Sequence, residues 1–322
     1  MPKTRPALLA GVARTLMAAG MAATTLTAMT GVAMAKPISS ILFVNPLPQY
    51  PAWRLIGDCL ADKAKELGIP ATESGPTDGT LNTTQMFTQI QQGIANNAGA
   101  IITLPASDSF VPILQQAKAA GIMVGTLYGA AGTEAASDVN VGANFTTVGE
   151  IFAASIAERE GPQNVGLMIQ GPTGPGKAFL EGFTAAAEKT GNVKVIAVVN
   201  TNDDASKALD QANALLTAHP EINVIASHMG SATQGAASAI KQRDLVGKVV
   251  LVANGAAGGG KEGLTDGTIH KLMMQDLCNA GGQVVDGLVR QSKGETVPKQ
   301  IDVGVRMFGP EGIEDYLAKG WQ

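Results

Sequence analysis

The sequence predicts an α/β protein built as two similar lobes, each a doubly wound parallel sheet with helices on both faces. Three observations lead there. Eight short apolar runs, at 41–44, 100–104, 122–127, 165–169, 193–199, 222–226, 249–253 and 269–274, are mostly continuous and β-branched, as strands buried on both faces are. Amphipathic helices lie between them, and strands alternating with helices of this length give parallel sheets with right-handed crossovers. The order of elements also repeats. Residues 98–130 run apolar strand, Ser/Asp-bearing loop, helix, Gly, apolar strand, Gly-rich loop, and residues 219–258 run the same series.

Residues 1–35 read as a secretory leader. Lys3, Arg5 and Arg14 supply positive charge, an Ala- and Met-rich run follows, and Ala33-Met34-Ala35 offers a small-x-small cleavage site before Lys36. Thr24, Thr25, Thr27 and Thr30 interrupt the run, which makes it a poor lipid-spanning helix. With no Cys near the cleavage site, a lipid anchor on the mature end is not expected. The rest of the chain suffices for two modest domains.

The first apolar run, Ile41-Leu42-Phe43-Val44, leads into Asn45-Pro46-Leu47-Pro48-Gln49-Tyr50-Pro51-Ala52-Trp53. Ligands of open parallel sheets bind beyond the carboxyl ends of the strands, so this loop is where a small polar ligand is expected. Trp53, Ile56, Leu60, Ala64 and Leu67 mark one helix face, closed by Gly68. Met86, Ile90 and Ile94 mark the next helix, and Val111, Leu114, Ala117 and Lys118 a third that stops at Gly121.

Formal net charge is −4 for the whole chain, and the leader holds basic residues but no acids, so the remainder is more acidic still. That balance, with 4% aromatic residues, argues against a nucleic-acid partner. Cys59 and Cys278 are the two cysteines. They either pair across a very long loop in an oxidising compartment or stand as two buried thiols on helix faces, the reading the sequence slightly favours. His219, His228 and His270 are scattered, so neither a metal site nor a cofactor is expected.

Gly171 to Ala178 matches GxxxxGK at a strand-to-helix turn, but Ala178 stands where a P-loop needs a magnesium-binding hydroxyl. Gly255 to Lys261 gives GxxxxGK again, followed by Glu262. Two imperfect copies point to turn chemistry, not nucleotide hydrolysis. Such turns still aim N–H groups at anions, and Lys177 is the cation expected to assist, whereas Lys261 reads as a surface residue. Trp53 and Tyr50 are candidates for stacking on a sugar ring, with a core role open for Trp53. Asn45 is a donor and acceptor or a turn former. Asp108, Asn144, Asp203 and Asp204 each suit helix capping as well as binding. No GxSxG elbow, nucleophilic cysteine or paired carboxylates stand out, so no enzyme is expected.

Taken in order, Phe43-Val44-Asn45 to Lys65-Glu66-Leu67-Gly68, Lys118-Ala119-Ala120-Gly121-Ile122, Leu215-Leu216-Thr217-Ala218-His219-Pro220 and Thr265-Asp266-Gly267-Thr268-Ile269 resemble the ribose/galactose-type periplasmic sugar-binding proteins, class I solute-binding partners of ABC importers. The resemblance implies a type I periplasmic binding fold, two lobes joined by a three-crossing hinge that closes on a ligand. It puts the crossings near Ala143-Asn144, Gln275-Asp276 and Val303-Gly304. The lobes would be 36–143 plus 276–303 and 144–275 plus 304–322. The first and ninth helices would then share a lobe, which makes a Cys59–Cys278 bridge geometrically conceivable. A monomer, an ABC permease in the inner membrane and a periplasmic location are the family expectations.

By that resemblance Asn45 and Trp53 stand for a polar contact and a stacking aromatic, Gln275 for a contact near the hinge, and Lys177 where sugar binders often have Arg. The departures are Tyr128-Gly129 where Asp-Arg is common, Ser227-His228-Met229 in place of an Asn, and Asn254-Gly255 in place of an Asp. Charged acceptors that grip hydroxyls are thereby lost. The expected set is Tyr50 and Trp53 stacking, Asn45, Tyr128, Asn144, Asn254 and Gln275 hydrogen-bonding, and Lys177 meeting an anionic or strongly accepting group. Sugars, sugar acids and phosphorylated ligands therefore stand side by side as expectations. The rival role is a sensory protein that shows its closed form to a membrane receptor.

Overall fold

A computed structural model describes residues 37–129 and 132–322. The expected leader and its cleavage site after Ala35 lie outside the described residues. The chain opens with β1 (Ile41–Val44), α1 (Pro51–Glu66), β2 (Ala71–Ser74), α2 (Thr83–Ala95), β3 (Ala100–Thr103), α3 (Val111–Ala119), β4 (Met123–Leu127) and β5 (Val139–Gly142). It continues through α4 (Phe145–Ala157), β6 (Gln163–Ile169), α5 (Gly174–Thr190), β7 (Val193–Asn200), α6 (Ala205–Ala218), β8 (Val224–Ser227) and α7 (Gly230–Gln242). Then come β9 (Val250–Asn254), α8 (Gly260–Asp266), β10 (Ile269–Gln275), α9 (Leu277–Ser292), β11 (Gln300–Asp302), β12 (Val305–Phe308) and α10 (Ile313–Leu317).

These strands form two six-stranded sheets, ordered β11-β5-β4-β3-β1-β2 and β12-β10-β9-β8-β6-β7. Every pairing of the first sheet is parallel. The second differs only where β12 runs antiparallel to β10. Both have a switch point, between β1 and β3 and between β6 and β8, where successive connections diverge and leave a crevice at the carboxyl ends. The eight apolar runs of the sequence are β1, β3, β4, β6, β7, β8, β9 and β10. β3 and β8 are buried along their whole length, as continuous apolar strands between helix layers must be.

Chain passage between the sheets happens three times: from β5 into α4, from β10 into α9, which packs on α1, and from β11 into β12. The second passage decides the cysteines. It lays α9 along α1 with the Cα atoms of Cys59 and Cys278 5.2 Å apart, and the two are joined in a disulfide. The preference for two free thiols is therefore corrected, because residues far apart in sequence meet where the chain returns to the first sheet.

Turn chemistry accounts for both GxxxxGK stretches. A Cβ at Gly176 would collide with the Gly171 carbonyl oxygen, and one at Gly260 with that of Gly255. Each second glycine lets the helix start lie directly on the turn that precedes it. Among the described residues no helix is long and apolar enough to cross a membrane.

Candidate functional site

A cavity of about 600 Å³ opens at the carboxyl ends of both sheets, the size range of small-molecule sites. From the first sheet Tyr50, Trp53, Leu104 and Tyr128 reach it; from the second, Phe145, Gln170, Asp203, His228, Ser231 and Asn254 do. Gln275 and Gln322 line it where the chain passes between the sheets.

One wall is a chain of rings. Trp53 meets Tyr128 edge-on at 6.0 Å, Tyr128 meets Phe145 at 6.3 Å, and Phe145 meets His228 at 5.5 Å. His228 also stacks on Phe179 behind it, at 4.6 Å. Burial pushes the His228 imidazole down to about 3, so it is neutral and offers one donor and one acceptor. Both its nitrogens, the Tyr128 hydroxyl and Oε1 of Gln275 and Gln322 are buried with no hydrogen-bond partner in the protein. Buried polar atoms are normally paired, and these all belong to residues that line the cavity.

Among the described residues, three of the cavity wall that are not glycine have left-handed backbone. Tyr128 has φ of 53°, and burial raises its phenol far above the ordinary value. Asn202 and Asp203 are successive left-handed residues, with φ of 54° and 59°. Non-glycine residues in that region cluster at functional sites. Asp203 accepts a hydrogen bond from the Ser231 hydroxyl, and burial raises its carboxyl. Asp204 next to it is the cap of α6, accepting from the Ser206 and Lys207 N–H groups at 2.8 and 3.0 Å. Both aspartates line the cavity, and of the two only Asp204 also caps the helix. Tyr50 reaches across to the second sheet, where burial and the nearby Asp203 push its phenol up to about 12.

Of the eight residues singled out in the sequence, Tyr50, Trp53, Tyr128, Asn254 and Gln275 line the cavity. The Asn254 amide donates to the His228 carbonyl at 2.7 Å and so fixes the β8–α7 turn. Three stand off the wall. Asn45 is fully buried. Its amide donates to the Trp53 carbonyl and to Glu73, both at 3.1 Å, and its oxygen accepts from Leu47 N–H at 3.0 Å. It shapes the loop that presents Tyr50 and Trp53. Asn144 is exposed and caps α4, accepting from Thr146 and Thr147 N–H at 3.1 and 3.3 Å. Lys177 pairs with Glu181 at 2.6 Å on the outer face of α5, one turn down from a long helix start, so its ammonium is spent in solvent. Lys261 pairs with Glu314 at 2.7 Å, the surface role expected of it.

Sequence reasoning missed His228, Phe145 and Gln322 as cavity residues, and left Asp203 open between cap and contact. For His228 the position just beyond an apolar strand was a usable signal. Phe145 reads as core and Gln322 carries no local pattern, so only the fold reveals them.

The comparisons agree with this architecture. The periplasmic binding protein domain matches residues 41–296. Among solved structures, a glucose-galactose binding protein from Geobacillus stearothermophilus, GanP, superposes with a TM-score of 0.81 at 20% identity, covering 86% of this chain and 99% of its own. An ABC transporter solute-binding protein from Agrobacterium vitis with bound D-fucose gives 0.79 at 20% identity, covering 87% and 99%. One from Actinobacillus succinogenes 130z with bound D-allose gives 0.77 at 22% identity, covering 87% and 100%. No curated protein matches the chain in sequence. A family match over most of the chain, joined to two switch-point sheets that share one cavity, places this protein in the periplasmic binding protein domain family, whose members bind ligands without turning them over.

Proposed function

We propose that this protein is the periplasmic substrate-binding component of an ABC importer, and that its cavity takes a neutral sugar or sugar derivative. The observation that carries this reading is the set of buried, unpartnered polar atoms on Tyr128, His228, Gln275 and Gln322 beside an aromatic wall. A sugar ring suits both: its apolar face covers Trp53 and its hydroxyls donate and accept. Tyr50, Trp53, Tyr128, Asn254 and Gln275 remain the proposed contacts and His228 joins them. Asn45 and Asn144 support the loops, and Lys177 is set aside.

Charge favours a neutral ligand over a sugar acid or phosphate. The charged residues on the wall are Asp203, Asp204 and Lys207, so cations are not in excess. The relatives with bound D-fucose and D-allose support a neutral monosaccharide. The lobes, 36–143 plus 276–303 and 144–275 plus 304–322, would pivot at the three passages. A ligand touching both favours the closed arrangement that a permease reads. The Cys59–Cys278 disulfide supports an oxidising compartment, in keeping with export and cleavage after Ala35.

A thermal-shift panel on protein lacking residues 1–35 tests the proposal. Glucose, galactose, D-fucose and D-allose would be set against sugar acids, sugar phosphates and amino acids. A ligand at about a hundred times its dissociation constant adds roughly 2.7 kcal/mol of stability. A shift with at least one neutral sugar is expected; shifts confined to anions or amino acids would overturn the reading.

A further inference from the structure

Strand β10 ends at Gln275, and its backbone is paired with Gln322. The Gln275 N–H donates to the Gln322 carbonyl at 2.7 Å, and the Gln322 N–H donates back at 3.0 Å. Residues that exchange both hydrogen bonds are directly opposite in an antiparallel pair and send their side chains to one face. Here both side chains line the cavity, and each Oε1 is buried without a partner. The segment is anchored on its other side as well. Asp276 and Trp321 form an antiparallel bridge, and the Trp321 ring lies over Gly304, where a Cβ would come within 2.8 Å of it. Gln322 is therefore pinned to both later passages between the sheets.

We propose that Gln322 is a ligand-contacting residue that determines specificity, acting with Gln275 as paired amides that grip two adjacent hydroxyls of a neutral ligand. The inference rests on the sugar reading of the same cavity and adds a residue and a selection rule to it. Each amide oxygen needs a donor, and a hydroxyl supplies one while still accepting from an amide N–H. A hydroxyl does this with the amides as they stand, whereas a carboxylate, which only accepts, would need each amide turned over to present its N–H groups. The pair therefore suits two adjacent hydroxyls at this end of the cavity.

The test is calorimetric titration of the exported protein and of Gln322→Ala and Gln322→Leu with D-allose, D-fucose, glucose and galactose. The sugar that binds is then compared with its monodeoxy analogues. The leucine variant keeps the side-chain volume, so it covers the case in which the alanine variant fails to fold. Each substitution should weaken binding about 10-fold, the loss of roughly one buried hydrogen bond. One deoxy analogue should lose about as much on wild type and little more on the variants. Unchanged affinity in both variants overturns the inference alone. Equal extra losses for every deoxy analogue in the variants would make Gln322 a scaffold residue and also overturn it. No sugar binding by wild type would overturn the sugar reading and this inference with it.

Discussion

Gly230 is held to glycine by a phenol from the other sheet. Tyr50 stands at the start of α1, and its hydroxyl occupies the space that a Cβ on Gly230, first residue of α7, would need. Gly230→Ala should push Tyr50 away and oppose approach of the two lobes. The expected result is about tenfold weaker sugar binding by titration, with the unfolding temperature of ligand-free protein nearly unchanged. His228 makes a second prediction, in pH. Its imidazole ionises near 3 when folded against 6.5 ordinarily, so the unfolded chain binds the proton more readily. Its contribution is complete above about pH 6.5 and is lost as pH falls toward 3, with a slope of up to about 1.4 kcal/mol per unit. Asp203 has the opposite sign. Its raised carboxyl stabilises the fold below the ordinary carboxylate range, and that stability fades as pH rises through the raised value. Urea midpoints from pH 7 to 4 should fall for wild type and fall less for His228→Phe. Parallel curves would contradict the neutral buried imidazole.

At the scale of elements, the sequence announces strands through apolar runs and fails where strands lack them. β2, β11 and β12 lie at sheet edges, open to water on one side, and their Ala-Thr-Glu-Ser, Gln-Ile-Asp and Val-Arg-Met-Phe show no continuous apolar signal. β5 is interior yet carries Asn140, because that amide bonds Thr126 and Gln300 across its neighbours. The candidate site was legible where it depended on strand ends: Tyr50, Trp53, Tyr128 and Asn254 all follow or close an apolar run. It was illegible where caps and contacts share residue types. Asn144 and Asp203 look alike in sequence, and only the turn geometry sends one to a helix start and the other to the cavity. The GxxxxGK pattern and the family resemblance both point to Lys177, but its pairing with Glu181 is an i,i+4 match on a helix face, worth a few tenths of a kcal/mol. Lys177→Ala should accordingly leave sugar affinity within about twofold in the same titration; a tenfold loss would return it to the site. Helices α1 and α9 are a different matter, being tied by the disulfide. Replacing both cysteines by serine should cost about 2–5 kcal/mol in urea unfolding, and a loss within error would mean that packing alone holds the pair.

For the whole molecule, the doubled order of elements points to two similar lobes; the structure gives both sheets the same switch-point order, and the antiparallel β12 is where they part. The two later passages of the chain between the sheets set Gln275 and Gln322 on the cavity wall; the family resemblance points to Gln275, whereas no run of residues foretells Gln322. On the proposed function, a neutral sugar supplies partners to the buried polar atoms of Tyr128, His228 and Gln275 that lack them. A crystal structure of the protein with whichever of D-allose, D-fucose, glucose or galactose stabilises it tests this most directly. The expected result is one ring packed against Trp53, with its hydroxyls on Tyr128, His228 and Gln275. A sugar bound elsewhere, or a filled cavity in which those atoms still lack partners, would contradict it.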